Sequence, residues 1–479
     1  MRRLLIPLVA VAAALSLRAQ EAPLPVRPEQ LPKAQPVAYT PPPILRETLP
    51  NGMRILLLPD HSLPLVKVYA LVKAGGIYDP ADQVGLAELA GVCLKAGGSE
   101  KYPADAMEST LESLAAEMAS SAGRESTELS LNLLARDLDT GLPIFADVLM
   151  HPAFDAKKVA VEKAKMEEEL RRQNEDPWAV GEREMAKVLY GAASPWARTS
   201  TVAGVQALTP EAMAAFHDRY FHPGAVILAA AGDFDPKALT EKLRALFGSW
   251  AEKKVDYPAV AAAPDKDAPK VVLMDKPDLT QTTVLVGELS GKRGEGASFN
   301  QDRYAMDVMN WILGGGEFAS RLMREIRSNR GLAYSAGSDY SFGTDRGVYE
   351  AYCQTGVATT GEVCRLIREG FAQAEQAPPT EAEMELAKRS ILNTFVFNYQ
   401  NSGQIVRRAA LFDFYGYPED YLATYSERIR AVTPAQCQEV SRKYGRPETL
   451  SYFVLGPAAK VQEEMKAFGT PEVAALPQP

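Results

Sequence analysis

One pattern occurs twice in this chain of 479 residues, and it restricts the fold more than any other feature. Thr209-Pro210 is followed by Tyr220, Pro223 and Gly232, at offsets of 11, 14 and 23 residues. Thr433-Pro434 is followed by Tyr444, Pro447 and Gly456 at the same offsets, so the period is 433 − 209 = 224 residues. In each copy a Thr-Pro helix start leads through a turn into an apolar strand, 225–230 in the first and 450–455 in the second. A period this long indicates duplicated domains rather than a short-repeat solenoid. Each half mixes strand pairs with blocks of helix. That predicts an α+β fold of two homologous domains, each a mainly antiparallel sheet with helices on one face, joined by a linker.

The boundaries follow from composition. Residues 1–19 read as a signal peptide: Arg2 and Arg3 precede an apolar run over 4–17, and Arg18-Ala19-Gln20 offers a cleavage region. The run is short for a membrane span, and no later stretch approaches about eighteen apolar residues. The expectation is an exported protein, periplasmic or extracellular, with no stable membrane span; an uncleaved anchor is the other reading. Residues 20–44 are rich in Pro and Ala and read as a tether. A first domain is expected over 45–250, a linker over 251–269, a second domain over 270–465 and a tail over 466–479. Strands are predicted at 53–58, 65–73, 128–134, 270–274 and 282–286, and a long charged helix at 156–173.

Charge and cysteine content narrow the function classes. The formal net charge of −9 argues against nucleic-acid or anionic-membrane binding. Cys93, Cys353, Cys364 and Cys437 form no C-x-x-C pair and read as buried thiols. The four histidines, His61, His151, His217 and His222, offer no i, i+4 pair on one helix face, so a zinc site built within this chain is not expected.

Several stretches in order resemble one family. They are Leu49-Pro50-Asn51-Gly52, the helix opening at Gly85, Phe234-Asp235, Leu313-Gly314-Gly315-Gly316, and Ile326-Arg327-Ser328-Asn329-Arg330-Gly331-Leu332-Ala333-Tyr334-Ser335. Together, from about residue 38 to 456, they resemble the pitrilysin/insulinase zinc metallopeptidases, including the mitochondrial-processing-peptidase-like members. The resemblance implies half of a clamshell chamber that closes on unfolded peptide and pairs with another chain. It also places an inverted His-x-x-Glu-His motif at 88–92, where this chain reads Glu88, Leu89, Ala90, Gly91 and Val92. Glu88, Gly91 and Val92 are therefore degenerate metal-site positions. The family's third ligand falls within Glu167-Glu168-Glu169, with Glu168 and Glu169 the favoured candidates; an acidic helix face is the structural alternative.

The second half keeps what the first has lost. Arg327 and Tyr334 stand at the seven-residue spacing of an arginine and a tyrosine that, in the family, reach the scissile peptide from the half without metal. On their own they read as a helix-end cation and a strand aromatic. Ser320 is expected to cap the helix that carries Arg327, and Gly331 to terminate it. Gly314, Gly315 and Gly316 are expected to form a flexible substrate-binding loop. The resemblance makes 128–134 the edge strand that pairs with substrate, with an interior strand as the other reading. No cofactor is expected in this chain. Zinc is expected in a homologous partner subunit, with which this chain would form a heterodimer acting on peptide or unfolded protein. The alternative is a non-proteolytic structural or peptide-binding protein that keeps the peptidase fold.

Overall fold

The computed structural model describes residues 40–264 and 269–478; the signal peptide and most of the tether expected from the sequence lie outside the described residues. Twelve strands form two six-stranded sheets. In the first half, β1 (Leu45–Thr48) turns at Asn51-Gly52 into β2 (Arg54–Pro59), and β3 (Leu65–Val72) follows. Gly52 sits at φ +88°, where a side chain is strained. The Asn51 amide donates to the carbonyls of Phe247 (2.7 Å) and Trp250 (3.2 Å) and ties this turn to the end of the half. Next come β4 (Glu117–Ala122), β5 (Thr127–Leu134) and β6 (Val226–Gly232). The second half contributes β7 (Val271–Asp275), β8 (Gln281–Leu289), β9 (Ala333–Tyr340), β10 (Val348–Gly356), β11 (Ser451–Gly456) and β12 (Pro471–Ala475).

The duplication is visible in the strand order, β1-β2-β6-β3-β5-β4 in one sheet and β12-β7-β11-β8-β10-β9 in the other. A late strand of each chain half, β6 or β11, inserts parallel to β2 or β7 and antiparallel to β3 or β8. Both inserted strands are buried at every residue, which explains their unbroken apolar sequences.

Both faces of the central strands are covered, because the halves exchange helices. The helix Pro177–Tyr190 of the first half lies on β8 and β11 of the second sheet, and the helix Ser402–Phe414 of the second half lies on β6, β2 and β3. Consequently Ile55 and Leu57 point into one core while Leu56 and Leu58 point into the other. The contact is close on both sides. A Cβ on Gly181 would lie 2.6 Å from Leu285 Cδ1, and one on Gly403, 403 − 181 = 222 residues later, would lie 2.7 Å from Lys67 Cδ.

The structure corrects three expectations. Residues 128–134 are not an edge: β5 lies between β3 and β4, and β4 ends the sheet. Pattern reading missed β4 because Ala119, Ser120, Ser121 and Ala122 show no apolar alternation. The expected tail contains β12, which pairs parallel to β7 and completes the second sheet. Residues 314–316 are not a flexible loop: a wide helical turn over Trp311–Gly315 packs against β9, and a Cβ on Gly314 would lie 2.3 Å from Ser338 N. Only Gly can occupy that approach. All four cysteines are buried and unbonded. Among the described residues no helix is long and apolar enough to cross a membrane.

Candidate functional site

The helix Leu86–Ala96 carries the degenerate motif. Its start is fixed by Asp79, whose carboxylate accepts from Gly85 N (2.8 Å) and Ala87 N (2.9 Å). Burial raises the Asp79 pKa to about 6, and the two N–H bonds oppose that rise. Glu88 opens onto a concavity of about 530 Å³ that Glu169 also lines. Crowding of the Glu88 carboxyl, and then the charge of Glu169, raise its pKa. The structure therefore selects Glu169 as the carboxylate facing Glu88. Glu168 is exposed and lies 3.8 Å from Arg171, while Glu167 accepts from Arg171 and Gln206 at 2.9 Å.

Gly91 stands where the resemblance expects a glutamate base, and no side chain fits there. A Cβ on Gly91 would lie 2.5 Å from Ala122 N and 2.6 Å from Ala122 Cβ, because the helix packs directly on β4. The carbonyl of Val92 accepts from Ser120 Oγ at 3.3 Å, a second link between helix and strand. Among the described residues no three His, Cys, Asp or Glu side chains are placed to hold a metal ion. His61 bonds Asp233 (2.6 Å) and buried His217 bonds the Leu149 carbonyl (2.9 Å), both away from this concavity. Its lining holds the facing Glu88 and Glu169, and Asp79, which is already engaged by the helix start, beside Arg124, Arg183 and Arg198, a set that does not suit tetrahedral zinc. Sequence reading did not foresee those arginines; Arg198 donates to the carbonyls of Gly76 (3.1 Å) and Asp79 (2.6 Å).

Arg327 and Tyr334 are brought together in the second half. Ser320 Oγ accepts from Met323 N (3.3 Å) at the start of a wide helical segment, Met323–Asn329. Gly331, at φ +66°, closes it by donating to the Arg327 carbonyl (2.9 Å). The chain then turns into β9, which carries Tyr334. The Arg327 guanidinium lies 4.8 Å from the Tyr334 ring centroid and 4.5 Å from that of Phe318. Both rings are open to solvent, Tyr334 at 84% and Phe318 at 63% exposure. The Arg327 guanidinium makes no hydrogen bond or ion pair among the described residues, whereas neighbouring Arg330 is bound to Glu325 and Glu362. The stack holds the guanidinium while leaving its donor edges open. Phe318 was missed by sequence reading; the available signal was a large aromatic two residues after a glycine run.

Residues 54–194 match the Insulinase (Peptidase family M16) family, and residues 207–391 match the Peptidase M16 inactive domain. The chain belongs to the M16 family. Among its relatives is an uncharacterized zinc protease of Mycobacterium leprae, 28% identical over 376 residues, covering 76% of this chain and 81% of that protein. Another, from Streptomyces coelicolor, is 26% identical over 419 residues and covers 86% and 90%. The crystal structure of a peptidase M16 inactive domain from Pseudomonas fluorescens superposes with a TM-score of 0.76 at 25% identity, covering 86% of this chain and 98% of that one. The periplasmic protease PqqL of Escherichia coli shares the fold, with a TM-score of 0.75 at 16% identity. The match covers 89% of this chain but 47% of that one, so this M16 chain spans about half of PqqL.

Proposed function

We propose that this chain is the zinc-less subunit of an exported M16 peptidase. It binds unfolded peptide and presents Arg327 and Tyr334 to a scissile bond held at the zinc of a homologous partner subunit. One observation carries the reading: an arginine held between two exposed rings with its donor edges unused. A guanidinium so held is organised to receive peptide carbonyl oxygens in its fork. A phenol beside it can donate to the oxyanion that forms as water adds to the carbonyl carbon, and such donors stabilise that charge strongly. The first half supports the same division of labour, because Gly91 packs on β4 where a base would stand.

The peptide would add to β4, which ends its sheet, as an extra strand beside the chamber wall. Membership of the M16 family, relatives named as zinc proteases, and a match to about half of periplasmic PqqL support a half-chamber needing a second chain. The test is kinetic. In the complex with a zinc-bearing partner, Arg327→Ala and Tyr334→Phe should each lower kcat while bound zinc stays constant. Wild-type turnover in both variants would reduce the stack to a surface feature.

A further inference from the structure

A second cavity, of about 740 Å³, shares no lining residue with the Glu88 concavity or the Arg327 stack. Its wall combines the start of β2, the segments after β3 and before β6, the linker near Tyr257, the loop between β9 and β10, and the end of the helix Ser402–Phe414. Its volume is that of a typical small-molecule site.

The hydrogen-bonding state of the wall is one-sided. Each carboxylate there is already engaged. Asp345 binds Lys292 (2.6 Å) and Ala263 N, and Asp413 binds Arg46. Glu125 accepts from Thr344, and Glu295 accepts from the backbone N–H of Ser298. Of the cations, Arg293 donates to Thr344 Oγ1 (2.6 Å) and stacks on Tyr415 at 4.2 Å.

The donors that remain have no partner. His222, 8% exposed, leaves both ring nitrogens unsatisfied, and Trp196, 5% exposed, leaves its indole N–H unsatisfied. Burial lowers the His222 pKa, so the ring is neutral and carries one N–H. The Arg54 guanidinium makes no hydrogen bond or ion pair among the described residues, and burial lowers its pKa against a partial offset from Asp413. Lys73 Nζ has only the face of the Tyr257 ring, 4.8 Å from its centroid. A buried donor without a partner is costly, because it has given up its hydrogen bonds to water. Two cations without an ion-pair partner line this space, two unpartnered N–H groups lie in its wall, and each carboxylate there already accepts a hydrogen bond, so the wall calls for an acceptor-rich ligand. Tyr78 and Tyr257, with ring centroids 5.0 Å apart, supply a flat apolar wall beside them.

We infer that this cavity binds a small organic oxyanion, a carboxylate or phosphate on an aromatic or apolar body, with Arg54 and Lys73 as its charged donors and His222 and Trp196 in its wall. The inference does not depend on the peptidase reading.

The test is calorimetric titration of the full chain with N-acetyl-Phe-Phe acid, its C-terminal amide, and phenyl phosphate. Saturable binding of the acid but not the amide supports a peptide carboxylate. Binding of phenyl phosphate alone supports a phosphate ester. In either case Arg54→Gln/Lys73→Gln should weaken the binding about tenfold or more, the loss expected for charged donors. The single variant Lys73→Gln, at an exposed position, should weaken it in the same direction if the double variant does not fold. No binding of any probe at millimolar concentration, equal binding of acid and amide, or unchanged affinity in the variants would overturn the inference.

Discussion

A Cβ added to Gly91 would lie 2.5 Å from the backbone nitrogen of Ala122, so the helix of the degenerate motif rests directly on the edge strand of its sheet. Packing as well as residue type thus keeps a glutamate out of this helix position. Restoring the ligand types leaves no room for the base. The variant Glu88→His/Gly91→Glu/Val92→His should bind zinc poorly and lose about 1–3 kcal/mol of stability, as overpacked sites do. Zinc content after dialysis and urea unfolding check both parts.

The exchanged helices make an unequal prediction for two closely packed glycines. The atom facing Gly181 belongs to Leu285, which is fully buried on β8 and cannot withdraw. The atom facing Gly403 is the Cδ of Lys67, part of a flexible chain that can swing away. Gly181→Ala should destabilise by about 1–3 kcal/mol. Gly403→Ala should be neutral, or stabilise by up to about 1 kcal/mol through helix propensity. Urea midpoints of the two variants compare them directly.

Glu350 on β10 gives a pH dependence. Burial, then the charges of Glu182 on the exchanged helix and of Asp339 on β9, raise its pKa from 4.5 to about 7. The folded chain thus holds this proton more tightly than the unfolded chain does. Stability is lost as pH rises through that interval and is not regained above it. Glu350→Gln should raise the melting temperature relative to wild type at pH 8 and leave it nearly unchanged at pH 4. A thermal scan at the two pH values reads the difference.

Phe318 should matter to Arg327 without touching substrate. Phe318→Ala removes one face of the stack and frees the guanidinium to rotate. In the partner complex, kcat should fall while zinc content and melting temperature hold, and Phe318→Tyr should restore the rate. Equal rates for Phe318→Ala and wild type would show that Tyr334 alone orients the arginine.

What could be read beforehand depended on how strongly each segment is marked by burial. The apolar runs of β6 and β11 and the Thr-Pro helix starts revealed the duplication, because strands buried on both faces must be apolar throughout. β4 and β12 pair along one side and bury few side chains, so their sequences carry no alternation. The choice of Glu169 over Glu168 needed the rotation of one helix against a neighbour, which residue spacing does not encode. The Arg327–Tyr334 pairing was legible only through the family resemblance, and its third member, Phe318, only through the folded chain.

The central claim is that this subunit completes an active site whose metal is held elsewhere. The most direct measurement is peptide cleavage by three samples: this chain, a partner subunit bearing an intact His-x-x-Glu-His motif, and their stoichiometric mixture. The account predicts little zinc and no cleavage with this chain alone, strong cleavage in the mixture, and loss of that gain when the added chain carries Arg327→Ala. Zinc-dependent cleavage by this chain alone, or a mixture no faster than the partner by itself, would contradict it.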